Sequence, residues 1–172
     1  KDKLKIAIIN GMSTGLGDSI VGLRALNIFH GILSKHFKDV VIDVYQLNPV
    51  TTIDLYNKEP IIQKIFQLPS SVARLLEYDA YIDFSGFIVR EEFNNQPIID
   101  FYLEALSIQK DSIPNEDKRN VIKINPAVEH VLKKPMDQLK SSGKKILLYH
   151  PQASTFIRSI PEDKVTIILN DN

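Results

Sequence analysis

The sequence predicts an α/β fold, a mainly parallel sheet with helices on both of its faces. Three observations carry this reading. Apolar runs of strand length alternate with stretches whose apolar residues recur every three or four positions. The first run, "LKIAII", is the continuous apolar type expected of a strand covered on both sides. Glycines punctuate the ends of strands, at "IINGMSTGLGD" and again at "IDFSG". Right-handed crossovers then bring the loops after each strand to one edge of the sheet, where open α/β sheets bind their ligands.

The elements follow in order. Leu4 to Ile9 is the first strand. From Asp18, the residues Val21, Leu23, Leu26, Phe29, Ile32 and Leu33 mark one face of an amphipathic helix that ends near Lys35. Val40 to Leu47 is rich in β-branched residues and reads as a second strand. "IIQKIFQLP" gives a short third strand, "SSVARLLEY" a short helix, and Tyr78 to Gly86 a fourth strand closed by glycine. A helix is expected from about Gln96 to Leu106, with Ile99, Tyr102, Leu103 and Leu106 on one side. "NVIKI" reads as a strand, and Pro126 to Leu139 as a helix that Pro135 must break or kink. After the polar stretch "LKSSGKK" a new buried strand begins in "ILLYHP". This places a boundary near Lys140, with residues 1–140 forming one domain and residues 141–172 the linker and opening of a second, truncated one.

Composition narrows the functions available. The 172 residues are 44% hydrophobic and 24% charged, which is that of an ordinary soluble globular protein. Lysine plus arginine equals aspartate plus glutamate at 21 each, so bulk charge points neither to nucleic acid nor to an acidic membrane. The absence of cysteine excludes disulfides, thiolate metal sites and thiol nucleophiles. No apolar run approaches a membrane span, and no leader is visible before the first strand, so a soluble intracellular protein is expected. The leading lysine is read as a processed or trimmed start.

The loop "NGMSTGLGD" is the focus of the chemistry. It is not a Walker loop, because no lysine occurs between Ile6 and Ser34. It is not the dinucleotide fingerprint either, since Ile20 stands where the third glycine belongs and Gly22 comes too late. What remains is a helix start with unpaired N–H groups and Asp18 beside them. Two readings stay open. Asp18 caps the helix, worth about 1 kcal/mol, while the glycines supply left-handed turns. Alternatively, Asp18 stands at the ligand edge as an ionised base of modest strength, with geometry supplying much of the rate.

At this point the residues take on a family likeness. "KIAIINGMSTGLGDSIVGLRAL" resembles the amino-terminal signature of glycosyltransferase family nine, the ADP-heptose:lipopolysaccharide heptosyltransferases and their relatives. "EYDAYIDFSG" is similar to that family's acidic-hydrophobic strand, and "DFYLEALSI" to its helix before the domain crossover. "LLYHPQASTFIRSIPED" resembles the strand-to-loop segment opening its second domain. The motifs occur in the family's order along nearly the whole chain. The resemblance implies the amino-terminal half of a GT-B architecture built on a Rossmann-like sheet. The first domain would be on the acceptor side, and the donor would be a nucleotide-diphosphate sugar such as ADP-heptose.

Carried over residue by residue, Asp18 would be the general base on the acceptor hydroxyl. Ser13, Thr14, Gly15 and Gly17 would lie near the substrates, and Ser154, Thr155 and Arg158 would hold the donor diphosphate. Arg158 stands where the family usually has lysine and can grip phosphate with two prongs. Ile160 replaces an aromatic residue the family often has. The chain also ends before the family's acidic ribose-binding segment, so these residues are expected to be an inactive fragment of a longer enzyme. The resemblance further implies lipopolysaccharide synthesis, no metal or other cofactor, and a glycan or lipid-linked acceptor. Nucleic acid is not a partner. The location would be cytoplasmic, at the inner face of the membrane by peripheral association. Two readings from other classes stand beside it: a non-catalytic Rossmann-like sugar- or protein-binding module, and another nucleotide-dependent α/β enzyme.

The remaining polar residues are read as structural. His30, His36 and His130 lie on helix surfaces or ends with no ligand spacing among them, and His150 ends the strand before Pro151. Asp79 and Asp83 alternate with apolar residues along their strand, and Asp83 is near enough to "FSG" to reach the cleft edge. Arg90 in "REEF" belongs to a solvated helix start, with contact to an anionic acceptor as the alternative reading.

Overall fold

The computed structural model describes residues 2–13, 15–121 and 126–143. The chain divides into two compact units, 1–123 and 124–172.

In the first unit the described strands are β1 (Lys3–Ile9), β2 (Asp39–Gln46), β3 (Ile62–Gln67) and β4 (Ala80–Asp83). They form one sheet in the order β3-β2-β1-β4, and every pairing is parallel. The fold is α/β and Rossmann-like. Helix α1 (Leu16–Leu33) joins β1 to β2, and the short α2 (Ile53–Asn57) joins β2 to β3. After β3 the chain passes α3 (Val72–Leu75) and returns beyond β1 to lay down β4 on its other side. Helices α4 (Glu91–Asn94) and α5 (Ile98–Ala105) follow. The winding reverses between β1 and β4, the kind of point at which open parallel sheets bind ligands outside the carboxyl ends of their strands.

The period of two along the strands sorts the two faces of the sheet. Ile6, Ile8, Ile42 and Val44 join Leu23, Leu26, Tyr56, Phe101, Tyr102 and Leu103 in one core. Burial of such side chains contributes about 1.5–3 kcal/mol each and is the main reason the helices lie where they do. On the opposite face, Asp43 and Tyr45 are buried beneath the segment containing α3. Tyr78 Oη donates to Asp43 Oδ2 at 2.7 Å, and its hydroxyl is 3.0 Å from that of Tyr45. The ammonium group of Lys5 lies 5.1 Å from the Tyr78 ring centre, and the Arg74 guanidinium 4.9 Å from that of Phe66. Burial, and secondarily the hydrogen bond to Asp43, pushes the Tyr78 phenol well above its ordinary range.

Two expectations need correction, and one helix was not read from the sequence at all. The fourth strand is only Ala80–Asp83, because Phe84 turns into the core and Gly86 adopts φ +64°. Ile53–Asn57 is helical although its single turn is too short to show a periodicity. In the second unit, helix α6 (Pro126–Ser141) continues through Pro135 instead of breaking there. Proline removes one hydrogen bond to the preceding turn, and good helix formers such as Lys133, Lys134 and Met136 surround it. The strand expected at "NVIKI" falls largely, and the one in "ILLYHP" wholly, outside the described residues. Among the described residues no helix is long and apolar enough to cross a membrane.

Candidate functional site

The loop after β1 turns through a run of unusual backbone. Asn10 has φ 63°, Gly11 φ 55° and Ser13 φ 148°. These, and not Gly15 or Gly17, are the positive-φ positions. Gly15 is the extended N-cap of α1, at φ −83°, and Gly17 is already helical. Gly11 must be glycine on two counts. A side chain there would be strained at that φ, and its Cβ would come within 2.5 Å of Gln46 Nε2.

Asp18 is therefore in the first turn of α1 and is not its cap. No side chain makes the capping bond from Gly15. Asp18 gains from the positive end of the helix while its carboxylate stays available for something else. Ser13 Oγ lies 3.3 Å from Asp18 Oδ2 and donates to it, and the same oxygen accepts from the Gly15 N–H at 3.0 Å. Asp18 is half-buried and Ser13 is buried. The carboxylate is thus oriented by a neighbour and partly exposed, one helical turn beyond the loop that leaves the carboxyl end of β1.

Beneath the loop lies a buried polar network that sequence reasoning missed. The Ser13 carbonyl accepts from Ser19 Oγ and from Gln46 Nε2, each at 3.0 Å. Thr52 Oγ1 donates to Gln46 Oε1 at 2.7 Å. Tyr56 Oη accepts from the Met12 N–H at 3.1 Å and donates to Ser19 Oγ at 3.3 Å. Tyr102 Oη donates to the Met12 carbonyl. Ser19, Gln46, Thr52, Tyr56 and Tyr102 are all fully buried. Each such bond contributes only about 1 kcal/mol net, but leaving a buried partner unpaired costs about 1–3 kcal/mol, so the members fix one another. Burial pushes the Tyr56 phenol up despite its hydrogen bonds to Ser19, Met12 and Gln46. Burial, and after it the negative charge of Asp18, does the same to Tyr102. Both phenols remain neutral donors throughout the ordinary pH range.

A second close approach sets the height of the helix over the loop. A Cβ on Gly22 would come within 2.3 Å of Met12 Cβ. Gly22 thus lets α1 pack directly on the loop, the service that the third glycine of the dinucleotide fingerprint performs from a different position.

Of the residues singled out in the sequence, the structure brings Ser13, Gly15, Gly17 and Asp18 together. Thr14, His150, Ser154, Thr155 and Arg158 lie outside the described residues. The signal for Gln46 and Thr52 was faint: a polar residue at the end of an apolar strand, with a threonine pair shortly after. The chain matches no protein-family model, no curated protein and no solved structure.

Proposed function

We propose that this chain carries the acceptor-side part of an inverting glycosyltransferase acting on a nucleotide-diphosphate sugar. One observation carries the reading: the Asp18 carboxylate, half-buried at the carboxyl edge of a parallel sheet, is held by Ser13 and left uncommitted to capping its own helix. In the proposed reaction Asp18 takes the proton of an acceptor hydroxyl. That oxygen forms a bond to the anomeric carbon as the bond from this carbon to the diphosphate oxygen breaks. The nucleoside diphosphate leaves with the electron pair, and attack from the opposite face inverts the configuration. Ser154, Thr155 and Arg158 are assigned to the diphosphate by resemblance alone, and a glycan or lipid-linked glycan is the proposed acceptor.

The test is Asp18→Asn in the protein as its organism makes it. Release of nucleoside diphosphate from ADP-, UDP- and GDP-linked sugars is measured with glycan acceptors present. Loss of a general base is expected to slow transfer by about 10²–10⁴-fold while donor binding persists. Undiminished transfer would remove Asp18 from the mechanism. Donor or glycan binding with no transfer in the unaltered protein would favour a non-catalytic binding module.

A further inference from the structure

We infer that the cavity lined by α1 and α2 is a binding site for a small zwitterion, an α-amino acid with a short branched apolar side chain. The site shares no residue with the loop that carries Ser13 and leads to Asp18, and it stands whether or not the chain transfers sugar.

Two helical stripes line the cavity. On α1, Ile20, Leu23, Arg24 and Asn27 fall three and four residues apart. Leu55, Lys58 and Glu59 repeat that spacing on α2 and the turn that ends it. The same two helices hold the loop through other residues, Ser19, Gly22 and Tyr56. The cavity measures about 180 Å³. Sites for drug-sized ligands run to roughly 300–1,000 Å³, so a nucleotide or a disaccharide is too large for it. The space equals about six waters at about 30 Å³ each. Voids that stay empty are lined with hydrocarbon, whereas this one carries a guanidinium, an ammonium, a carboxylate and an amide.

Contacts outside the cavity set these groups in place. Arg24 Nε donates to the Asp117 carbonyl at 2.5 Å. The next residue, Lys118, is ion-paired with Asp100 at 2.7 Å, both side chains being largely buried, which ties that segment to α5. The guanidinium is thus fixed through Nε, and among the described residues its two terminal nitrogens make no hydrogen bond. That fork matches a carboxylate. Asn27 Nδ2 donates to the Leu23 carbonyl at 2.9 Å and to Glu59 Oε2 at 3.3 Å, leaving Asn27 Oδ1 as an acceptor. Glu59 is only 9% exposed. A buried carboxylate in the same small cavity opposes phosphate and other dianions, whereas a ligand with an ammonium next to its carboxylate meets both signs. The ligand carboxylate goes to Arg24, with the exposed Lys58 at the rim, and the ammonium to Glu59 and Asn27 Oδ1. Its side chain rests on Ile20, Leu23 and Leu55.

The probe is L-leucine, titrated into the ¹⁵N-labelled full chain. Saturable shifts are expected at the Asn27 and Glu59 amides and at Arg24 Nε. Isocaproate, which is leucine without its ammonium, and isopentylamine, which lacks the carboxylate, should each bind at least about ten-fold more weakly. Arg24→Gln removes the fork and should weaken leucine by at least about ten-fold. Ile20→Phe fills the cavity without altering a charge. It should abolish binding with the thermal midpoint kept, so the site is tested even if Arg24→Gln unfolds. No saturable shift with leucine, shifts centred elsewhere, equal affinity for isocaproate, displacement of leucine by inorganic phosphate, or undiminished affinity in Ile20→Phe would each overturn the site. Asp18→Asn should bind leucine normally. A protein that binds leucine at Arg24 and Glu59 yet transfers nothing would overturn the transferase reading and leave this site standing.

Discussion

Gly22→Ala tests how firmly α1 is seated on the loop that carries Ser13. The new Cβ would come within 2.3 Å of Met12 Cβ, 2.9 Å of its Cγ and 3.1 Å of its Cε. Carbon atoms rest at about 3.5–4.0 Å, so helix and loop would have to part by more than about 1 Å. Met12 cannot swing aside, because the nearest atom is its Cβ and the backbone on both sides is bonded to Tyr56 and Tyr102. Overpacking of this kind costs about 1–3 kcal/mol. Alanine returns about 1 kcal/mol through its better helix propensity. With the clash at a Cβ that has no rotamer to change, a net loss of about 1–2 kcal/mol is expected, a fall of about 2–8 °C in Tm for a chain this long. Gly31, on the same helix, is the control, since a Cβ there meets nothing within 4 Å. Gly31→Ala should stabilise by about 0.4–1 kcal/mol. Urea titration of both variants decides the matter. If Gly22→Ala stabilises as Gly31→Ala does, the seat at Met12 is loose, and the tight packing proposed for the site is wrong.

Two further outcomes follow from the same structure. Gln46→Leu strips one donor from the Ser13 carbonyl and strands the Thr52 hydroxyl, and should lower unfolding stability by about 2–3 kcal/mol in urea titration. A loss near zero would mean that the network does not hold the loop. Tyr56, Tyr78 and Tyr102 all have phenols raised above their ordinary value of 10.0, chiefly by burial. The unfolded chain therefore releases these protons first, so the stability they contribute is complete below about pH 10 and is lost as pH rises beyond it. Phenolate absorbance followed beside circular dichroism should show these groups ionising only with unfolding. Reversible ionisation of every tyrosine near pH 10 in an unchanged fold would contradict this.

The sheet was legible because its information is local. "LKIAII" and "VVIDVYQL" advertise buried strands in their composition alone, and the spacing from Val21 to Leu33 shows the face of α1. Asp18 was legible too, as a carboxylate next to a glycine at a strand-to-helix corner. Its relation to the helix was not, because whether Gly15 or Asp18 caps α1 depends on one dihedral that no pattern reports. Gln46 and Tyr102 were read as ordinary strand and helix residues, and Tyr56 was assigned to no element. Their task is set by partners 33, 44 and 90 residues away, and pairings over such distances leave no periodicity to read. Arg24 and Asp117, 93 residues apart, escaped notice for the same reason.

The clasp of Tyr102 on the Met12 carbonyl also bears on synthesis. A nascent chain emerging in sequence would have its first strand and helix early, but it could not close this corner until α5 had left the ribosome. The machinery proposed for proton removal would then be among the last parts of the first unit to mature, and a chain cut before Tyr102 would display the loop with its Met12 carbonyl no longer held by that phenol.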